Sequence, residues 1–133
     1  MSKYKYPITV IVATYNPEWK KLRSTLLSIV TQKNIDFEII ITDDGSNDDY
    51  FDKAREFFIK NEISKYRFIK NQINIGTVKN FYNAIKCAGG EYVYGISPGD
   101  MFYEETTLEK LYFFACIKNT TANAIIPKIN IMV

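Results

Sequence analysis

The 133-residue sequence contains no histidine. This absence excludes Ser–His and Cys–His nucleophile pairs, and it excludes zinc sites built on histidine. The two cysteines, Cys87 and Cys116, are too few for a Cys₄ metal site or a disulfide scaffold. Because unpaired cysteines suit a reducing compartment, the predicted location is the cytoplasm.

Long apolar runs and a strong charge of either sign are also absent. The longest apolar runs, such as residues 111–117, are far too short to cross a bilayer, and the first six residues lack the apolar region of a signal peptide. The net charge is +2, from 17 Lys and Arg against 15 Asp and Glu, and predicts neither nucleic-acid nor membrane-surface binding. The sequence therefore predicts no nucleic-acid partner and no transmembrane segment.

The sequence does contain an alternation of short β-branched runs and amphipathic helical stretches. Predicted strands cover residues 8–13, 37–42, 66–70, 92–97 and 124–126, with a helical stretch between each successive pair. The almost unbroken apolar character of the first strand is typical of a parallel strand that is buried on both faces. The pattern predicts one α/β domain over residues 1–133, with helices on both faces of a parallel sheet. An antiparallel α+β fold is the less favoured alternative.

Local signals predict where the helices begin and end. Asn16 and Pro17 predict the N-cap and the first residue of the first helix. One of residues 46–48 would cap the second helix, and the glycines at 89–90 lie where a C-cap of the third helix belongs. The buried stripe of the third helix is predicted at Val78, Phe81, Tyr82 and Ile85.

Polar side chains cluster after three of the predicted strands, at residues 14–16, 42–46 and 97–100. Ligands of open α/β sheets bind beyond the carboxyl ends of the strands, so these clusters predict one binding site. Asp43 and Asp44 are adjacent carboxylates, and their repulsion must be offset by a cation or by hydrogen-bond donors. Each cluster has a structural alternative, which is helix capping for Asn16 and a turn for residues 43–46 and 97–100. Tyr15 either packs against the protein or stacks on a base.

Two common phosphate-binding motifs are missing. The sequence has no G-x-x-x-x-G-K-[ST] motif and no G-x-G-x-x-G motif after the first strand. A nucleotide would therefore need a divalent cation and carboxylates to hold its phosphates. Mg²⁺ sites often use only one or two carboxylates together with the phosphates of the substrate.

Four segments, in this order along the chain, resemble glycosyltransferase family 2: residues 7–16, 41–46, 74–76 and 90–92. The resemblance implies the GT-A fold, a Rossmann-like and mostly parallel sheet that binds nucleotide-sugar donors, and transfer with inversion at the anomeric carbon. Members of the family are considerably longer, and their acceptor half supplies the catalytic base. The resemblance thus covers a donor-binding portion that is truncated before the acceptor half. Any contact with the inner face of a membrane would then be made by the missing region.

The resemblance also implies roles for individual residues. Asp43 would accept a hydrogen bond from the base, and Asp44 would either lie near the ribose or support the residues that contact the nucleotide. Asp100 would bind Mg²⁺ or Mn²⁺ on the diphosphate, although many members have Asp-x-Asp-Asp where this chain has one carboxylate in residues 97–100. The implied nucleotide-binding residues are Thr14, Tyr15, Asn16, Asp43, Asp44, Gly76 and Lys79, with Lys79 as a phosphate partner.

The function that the resemblance implies is glycosyl transfer from a UDP- or dTDP-sugar to a saccharide or lipid-linked acceptor. The pair Asn80-Phe81 resembles a subgroup common in bacterial surface-polysaccharide synthesis. A non-catalytic nucleotide-binding or assembly module is the alternative from another class, and a nucleotidyltransferase is disfavoured by the missing glycine-rich loop. A homo-oligomer is predicted from an apolar sheet edge at Ile125, Ile126, Ile129 and Ile131.

Overall fold

The computed structural model describes residues 3–122 and 130–132, with side chains for residues 3–118. The elements in chain order are β1 (Tyr6–Thr14), α1 (Trp19–Val30), β2 (Phe37–Asp43), α2 (Phe51–Lys60), β3 (Tyr66–Lys70), α3 (Thr77–Cys87), β4 (Gly90–Ile96), α4 (Thr107–Ala122) and β5 (Asn130–Met132). The strands form one sheet in the order β3-β2-β1-β4-β5, in which every neighbouring pair is parallel. The predicted parallel α/β fold is confirmed, while the strand predicted at 124–126 lies outside the described residues. None of the described helices is long and apolar enough to cross a membrane.

Helices cover both faces of the sheet. On one face, Ile8, Val10 and Val12 of β1 pack with buried side chains of α1, α2 and α4. On the other face, Ile11 of β1 packs with Ala84 and other buried side chains of α3. Both orientations of the β1 side chains are therefore removed from water, which accounts for the apolar run in this strand.

The first two helices begin later than their sequence signals predict. α1 begins at Trp19, and Asn16 has a φ of 46°, in the left-handed region, whereas an N-cap residue has an extended backbone. The prediction of Asn16 as N-cap is therefore wrong, because its side chain bonds to the loop after β2 instead. α2 begins at Phe51 with Tyr50 at the N-cap position, so the predicted cap at 46–48 is also wrong.

The buried face of α3 differs from the predicted stripe. Phe81 and Ile85 pack in the core as predicted, but Val78 and Tyr82 are 82% and 57% exposed. The helix instead turns Asn80 inward, where its amide exchanges two hydrogen bonds with Thr42 at the end of β2, of 2.7 and 3.0 Å. The buried face of α3 therefore includes a polar residue that hydrophobicity alone does not predict.

The glycines at 89–90 do not cap α3. The helix ends at Cys87, and neither glycine has a positive φ. Gly90 is the first residue of β4, where a Cβ atom would lie 2.4 Å from the backbone nitrogen of Thr9 and 2.6 Å from its Oγ1. Glycine is required here because β1 and β4 approach each other closely.

We expect Gly90→Ala to destabilise the protein by about 1–3 kcal/mol, since the added methyl group must displace backbone. Chemical denaturation followed by circular dichroism measures this change. The matched control is Gly89→Ala, whose Cβ would approach no atom closer than 3.3 Å, the distance to Oε2 of Glu38. Equal losses in the two variants would contradict the explanation by close strand approach.

Candidate functional site

The loops after β1 and β2 meet at the carboxyl-terminal edge of the sheet. The parallel register sets Thr14, the last residue of β1, beside Asp43, the last residue of β2. Beyond the strands, the backbone N–H of Asn16 donates to the hydroxyl of Ser46 at 2.6 Å. The backbone N–H of Asn47 donates to Oδ1 of Asn16 at 3.1 Å. Asn16 therefore joins the two loops, which explains its left-handed backbone.

Asp43 is completely buried beneath this contact. Its Oδ1 accepts hydrogen bonds from the hydroxyls of Thr14 and Ser46, both at 2.6 Å. Its Oδ2 accepts the backbone N–H of Ser46 at 2.8 Å and lies 3.6 Å from Nζ of Lys70. Hydrogen-bond donors and one cation thus supply the compensation that a buried carboxylate requires.

Asp44 faces the segment that leads from β3 into α3. Its carboxylate accepts the backbone N–H groups of Ile75 and Gly76 at 2.8 and 2.9 Å, and the amide of Asn71 at 3.1 Å. The next residue, Gly45, has a φ of 83°, and a Cβ atom there would lie 2.9 Å from the backbone of the same segment. Asp44 and Gly45 together hold this segment against the end of β2.

Lys70, the last residue of β3, is a site residue that the motifs did not predict. Its Nζ lies 2.9 Å from Oδ2 of Asp49 and 3.0 Å from the carbonyl oxygen of Ser46. The hydrogen bond with Asp49 raises the pKa of Lys70 above its usual range. Burial alone would raise the pKa of Asp49, but the bonds from Lys70 and from the backbone of Phe51 lower it below its ordinary value. Both side chains are therefore charged at neutral pH.

Asp100 lies in the loop after β4, with its side chain exposed. Its backbone is held at both ends, because its N–H donates to the carbonyl of Ser97 at 3.0 Å and its carbonyl accepts the hydroxyl of Thr25 at 2.7 Å. Within the described residues there is no group of three or more His, Cys, Asp or Glu side chains that could hold a metal ion. Asp100 therefore fits a metal only as a single carboxylate that shares the ion with ligand phosphates.

The structure brings most of the predicted site residues into two adjoining networks. One contains Thr14, Asn16 and Asp43, and the other contains Asp44 and Gly76. The exposed side chains of Tyr15, Lys79 and Asp100 form no hydrogen bond with either network in the described part of the chain. Contacts of all eight residues with a nucleotide or metal stay predictions. Lys70 could have been found by applying the strand-end rule to β3 as well.

A cavity of about 440 Å³ lies at the opposite, amino-terminal edge of the sheet. Its lining includes Glu38 and Arg67, near the beginnings of β2 and β3, and Lys65, which directly precedes β3. Arg67 pairs with buried Glu38 at 3.2 Å, and Lys65 pairs with Asp36 at 2.6 Å. These charges are already compensated within the protein, so we place the candidate site at the carboxyl-terminal edge.

A parallel sheet with polar loops at its carboxyl-terminal edge defines a class of α/β proteins that bind ligands there. The chain belongs to Glycosyl transferase family 2, whose profile matches residues 9–131. It is 32% identical over 130 residues to the poly(ribitol-phosphate) beta-N-acetylglucosaminyltransferase TarP of Staphylococcus aureus, covering 91% of this chain and 36% of TarP. It is 35% identical over 111 residues to the cholesterol galactosyltransferase of Borreliella burgdorferi, covering 82% of this chain and 29% of that protein. The chain thus spans about a third of the length of these relatives.

Solved structures confirm the GT-A fold. Residues 1–349 of S. aureus TarS in complex with UDP match with a TM-score of 0.70 and 26% identity, over 83% of this chain and 32% of that one. The mannosyltransferase PcManGT from Pyrobaculum calidifontis matches with a TM-score of 0.68 and 22% identity, over 77% of this chain and 30% of that one. At 22% identity, the match to PcManGT is evidence for the fold alone.

We expect Asp44→Ala to destabilise the protein by about 2–3 kcal/mol, because two backbone N–H groups lose their acceptor. Amide hydrogen exchange should accelerate at Ile75 and Gly76, and urea unfolding should give the loss of stability. Asp52→Ala on α2 is the control, because its side chain is 97% exposed and should change stability by less than about 0.5 kcal/mol. Unchanged exchange at both amides in Asp44→Ala would refute this role.

Proposed function

We propose that this chain is the donor-binding part of a glycosyltransferase that binds a UDP- or dTDP-sugar at the carboxyl-terminal edge of its sheet. The observation that carries the proposal is the pair of hydrogen-bonded acidic residues that joins three loops at this edge, in a chain that belongs to family 2. The structural relative TarS has been solved in complex with UDP and with UDP-GlcNAc. This likeness favours UDP as the first nucleotide to test.

The exposure of each side chain supports a different role for each proposed site residue. Tyr15 is 55% exposed, so its ring can stack on a base. Lys79 is exposed in the first turn of α3, close to Gly76, where a phosphate partner is expected. The predicted contact between Asp43 and the base requires a local rearrangement, because the carboxylate is buried and bonded to Ser46. A base reaches it only if groups that now contact the carboxylate, such as the hydroxyls of Thr14 and Ser46, rearrange.

Asp100 is the residue that would hold Mg²⁺ or Mn²⁺, whose charge would offset that of the departing diphosphate. The fit rests on its exposed carboxylate and on a backbone that Ser97 and Thr25 hold in place. Two solved structures that share this fold contain Mn²⁺, namely PcManGT with GDP-Man and GalNAc-T7 with UDP and GalNAc. Asp100 would thus act together with the diphosphate oxygens rather than as part of a protein cage.

The complete reaction we propose is a single displacement with inversion, in which a deprotonated acceptor hydroxyl attacks the anomeric carbon. We assign the base to the acceptor half of the longer relatives, since Glu104 and Glu105 of this chain are paired with Lys110 and Lys33. The proposed acceptor is a saccharide or a lipid-linked acceptor of bacterial surface-polysaccharide synthesis, and the proposed location of the enzyme is the cytoplasm. The name of TarP, which cites poly(ribitol-phosphate), supports a polymeric acceptor.

A non-catalytic nucleotide-binding module is the second candidate. It is favoured by the single carboxylate in residues 97–100, where other members of the family often have three. Both candidates predict nucleotide binding by this chain. An assay that contains a donor, an acceptor and the acceptor half of the protein distinguishes the two candidates. Only the first candidate predicts glycosyl transfer in that assay.

We expect Asp100→Asn to leave thermal stability nearly unchanged and to abolish the Mn²⁺-dependent part of the affinity for UDP. Asparagine preserves the backbone bonds of this turn but removes the anionic ligand. Calorimetric titration with UDP, dTDP and GDP, with and without Mn²⁺, measures both the nucleotide preference and the metal dependence.

The control for this titration is Asp52→Asn, an equal change of charge on the outer surface of α2. It should keep the full Mn²⁺ enhancement. If Asp100→Asn keeps that enhancement too, the assignment of the metal to Asp100 fails. If the unchanged chain binds none of the three nucleotides, the proposed function fails.

We also propose that the chain forms a homo-oligomer. The isoleucines that first suggested it have side chains outside the described residues, but Phe113 and Phe114 on α4 are 66% and 74% exposed. Large exposed apolar side chains mark contact surfaces. Sedimentation velocity at rising concentration should show self-association that Phe114→Lys weakens, and a strictly monomeric profile for the unchanged chain would contradict the proposal.

A further inference from the structure

The loop between β2 and α2 presents an electrostatic problem for the proposed ligand. Residues 43–49, which we name the acidic loop, read Asp-Asp-Gly-Ser-Asn-Asp-Asp and contain four carboxylates. A nucleoside diphosphate is itself strongly anionic, and like charges at short range repel. Binding at this edge therefore requires that the charge of the acidic loop be compensated.

Neutral donors compensate part of this charge. Asp44 accepts only backbone and amide N–H groups, as described above. Asp48 accepts the backbone N–H of Tyr50 at 2.9 Å, and Asp49 accepts that of Phe51 at 2.9 Å. These bonds stabilise the carboxylates and shape the start of α2, but they bring no positive charge to the loop.

Lys70 brings that charge. Among the residues whose side chains the structure describes, it is the only cation that forms an ion pair with a carboxylate of the acidic loop. Its Nζ contacts Asp43 at the beginning of the loop, Ser46 in the middle and Asp49 at the end. Its position follows from the sheet, because the register of β2 and β3 sets Lys70 beside Asp43.

We propose that Lys70 is a positioning residue of the donor site that acts through its charge: held against the acidic loop by its contacts, it lowers the negative potential of the loop so that a nucleoside diphosphate can bind. The inference rests on the proposed nucleotide binding. Isolated surface ion pairs contribute little, but Lys70 joins three parts of one loop, its side chain is only 32% exposed, and one partner is fully buried. The charge of Lys70, and not only its bonds, matters for an anionic ligand.

Three variants of the 133-residue chain separate the effect of charge from that of structure. Lys70→Met removes the cation, Lys70→Arg keeps it, and Asp49→Asn breaks the same ion pair by removing a negative charge. Affinity for UDP is measured by calorimetry at low ionic strength and equal Mn²⁺ concentration. Affinity for uridine, which has no phosphate, is measured by NMR titration, and circular dichroism checks that each variant is folded.

We expect Lys70→Met to weaken UDP binding by roughly five- to tenfold, as a nearby unit charge would, and to weaken uridine binding by much less. Lys70→Arg should restore UDP affinity to near that of the unchanged chain. Asp49→Asn should bind UDP at least as tightly as the unchanged chain, because it lowers the negative charge of the loop.

Several results would overturn the inference. Equal losses for UDP and uridine in Lys70→Met would show a purely structural role, as would equal weakening by Asp49→Asn and Lys70→Met. Unchanged UDP affinity in Lys70→Met would remove Lys70 from the site while leaving the proposed function intact. If the unchanged chain binds neither UDP nor uridine, the proposed function fails and the inference fails with it.

Discussion

The burial of two adjacent carboxylates at the end of β2 is the constraint on which the arrangement of the candidate site depends. A buried carboxylate without hydrogen-bond donors is strongly destabilising, so Asp43 and Asp44 must each be surrounded by donors. Asp43 takes them from Thr14 and from its own loop, and Asp44 takes them from the segment before α3. Because the two residues face different neighbours, their requirements together hold three loops in one arrangement.

The buried networks support groups that are themselves exposed. Tyr15 lies between Thr14 and Asn16, which both bond to the acidic loop, so its backbone is held while its ring faces water. Asp100 is held in the same way, through its backbone, by Thr25 of α1. Binding groups on loops are positioned best when neighbouring residues are fixed by packing and hydrogen bonds. The candidate site thus combines a fixed backbone with accessible side chains.

The incorrect sequence predictions share one physical origin. Asn16 carries the local signal of an N-cap, yet its side chain accepts a hydrogen bond from a residue 31 positions away. Asn80 is a polar residue of an amphipathic helix, yet it is buried and its amide bonds to Thr42. Gly90 follows a helix but is required by an adjacent strand. In each case a contact between distant residues overrides a local preference, and no local pattern reports such a contact.

The sequence by itself determined the order of strands and helices along the chain, the parallel sheet and the edge of the candidate site, because hydrophobic periodicity and strand-end polarity are properties of short segments. It also identified Asp43 and Asp44 as residues that need compensation. Only the tertiary structure decided which donors provide it, that both carboxylates are buried, and that Lys70 joins Asp43 to Ser46 and Asp49. Those partners lie on β1, β3 and the segment before α3, and only the folding of the sheet brings them to the same edge.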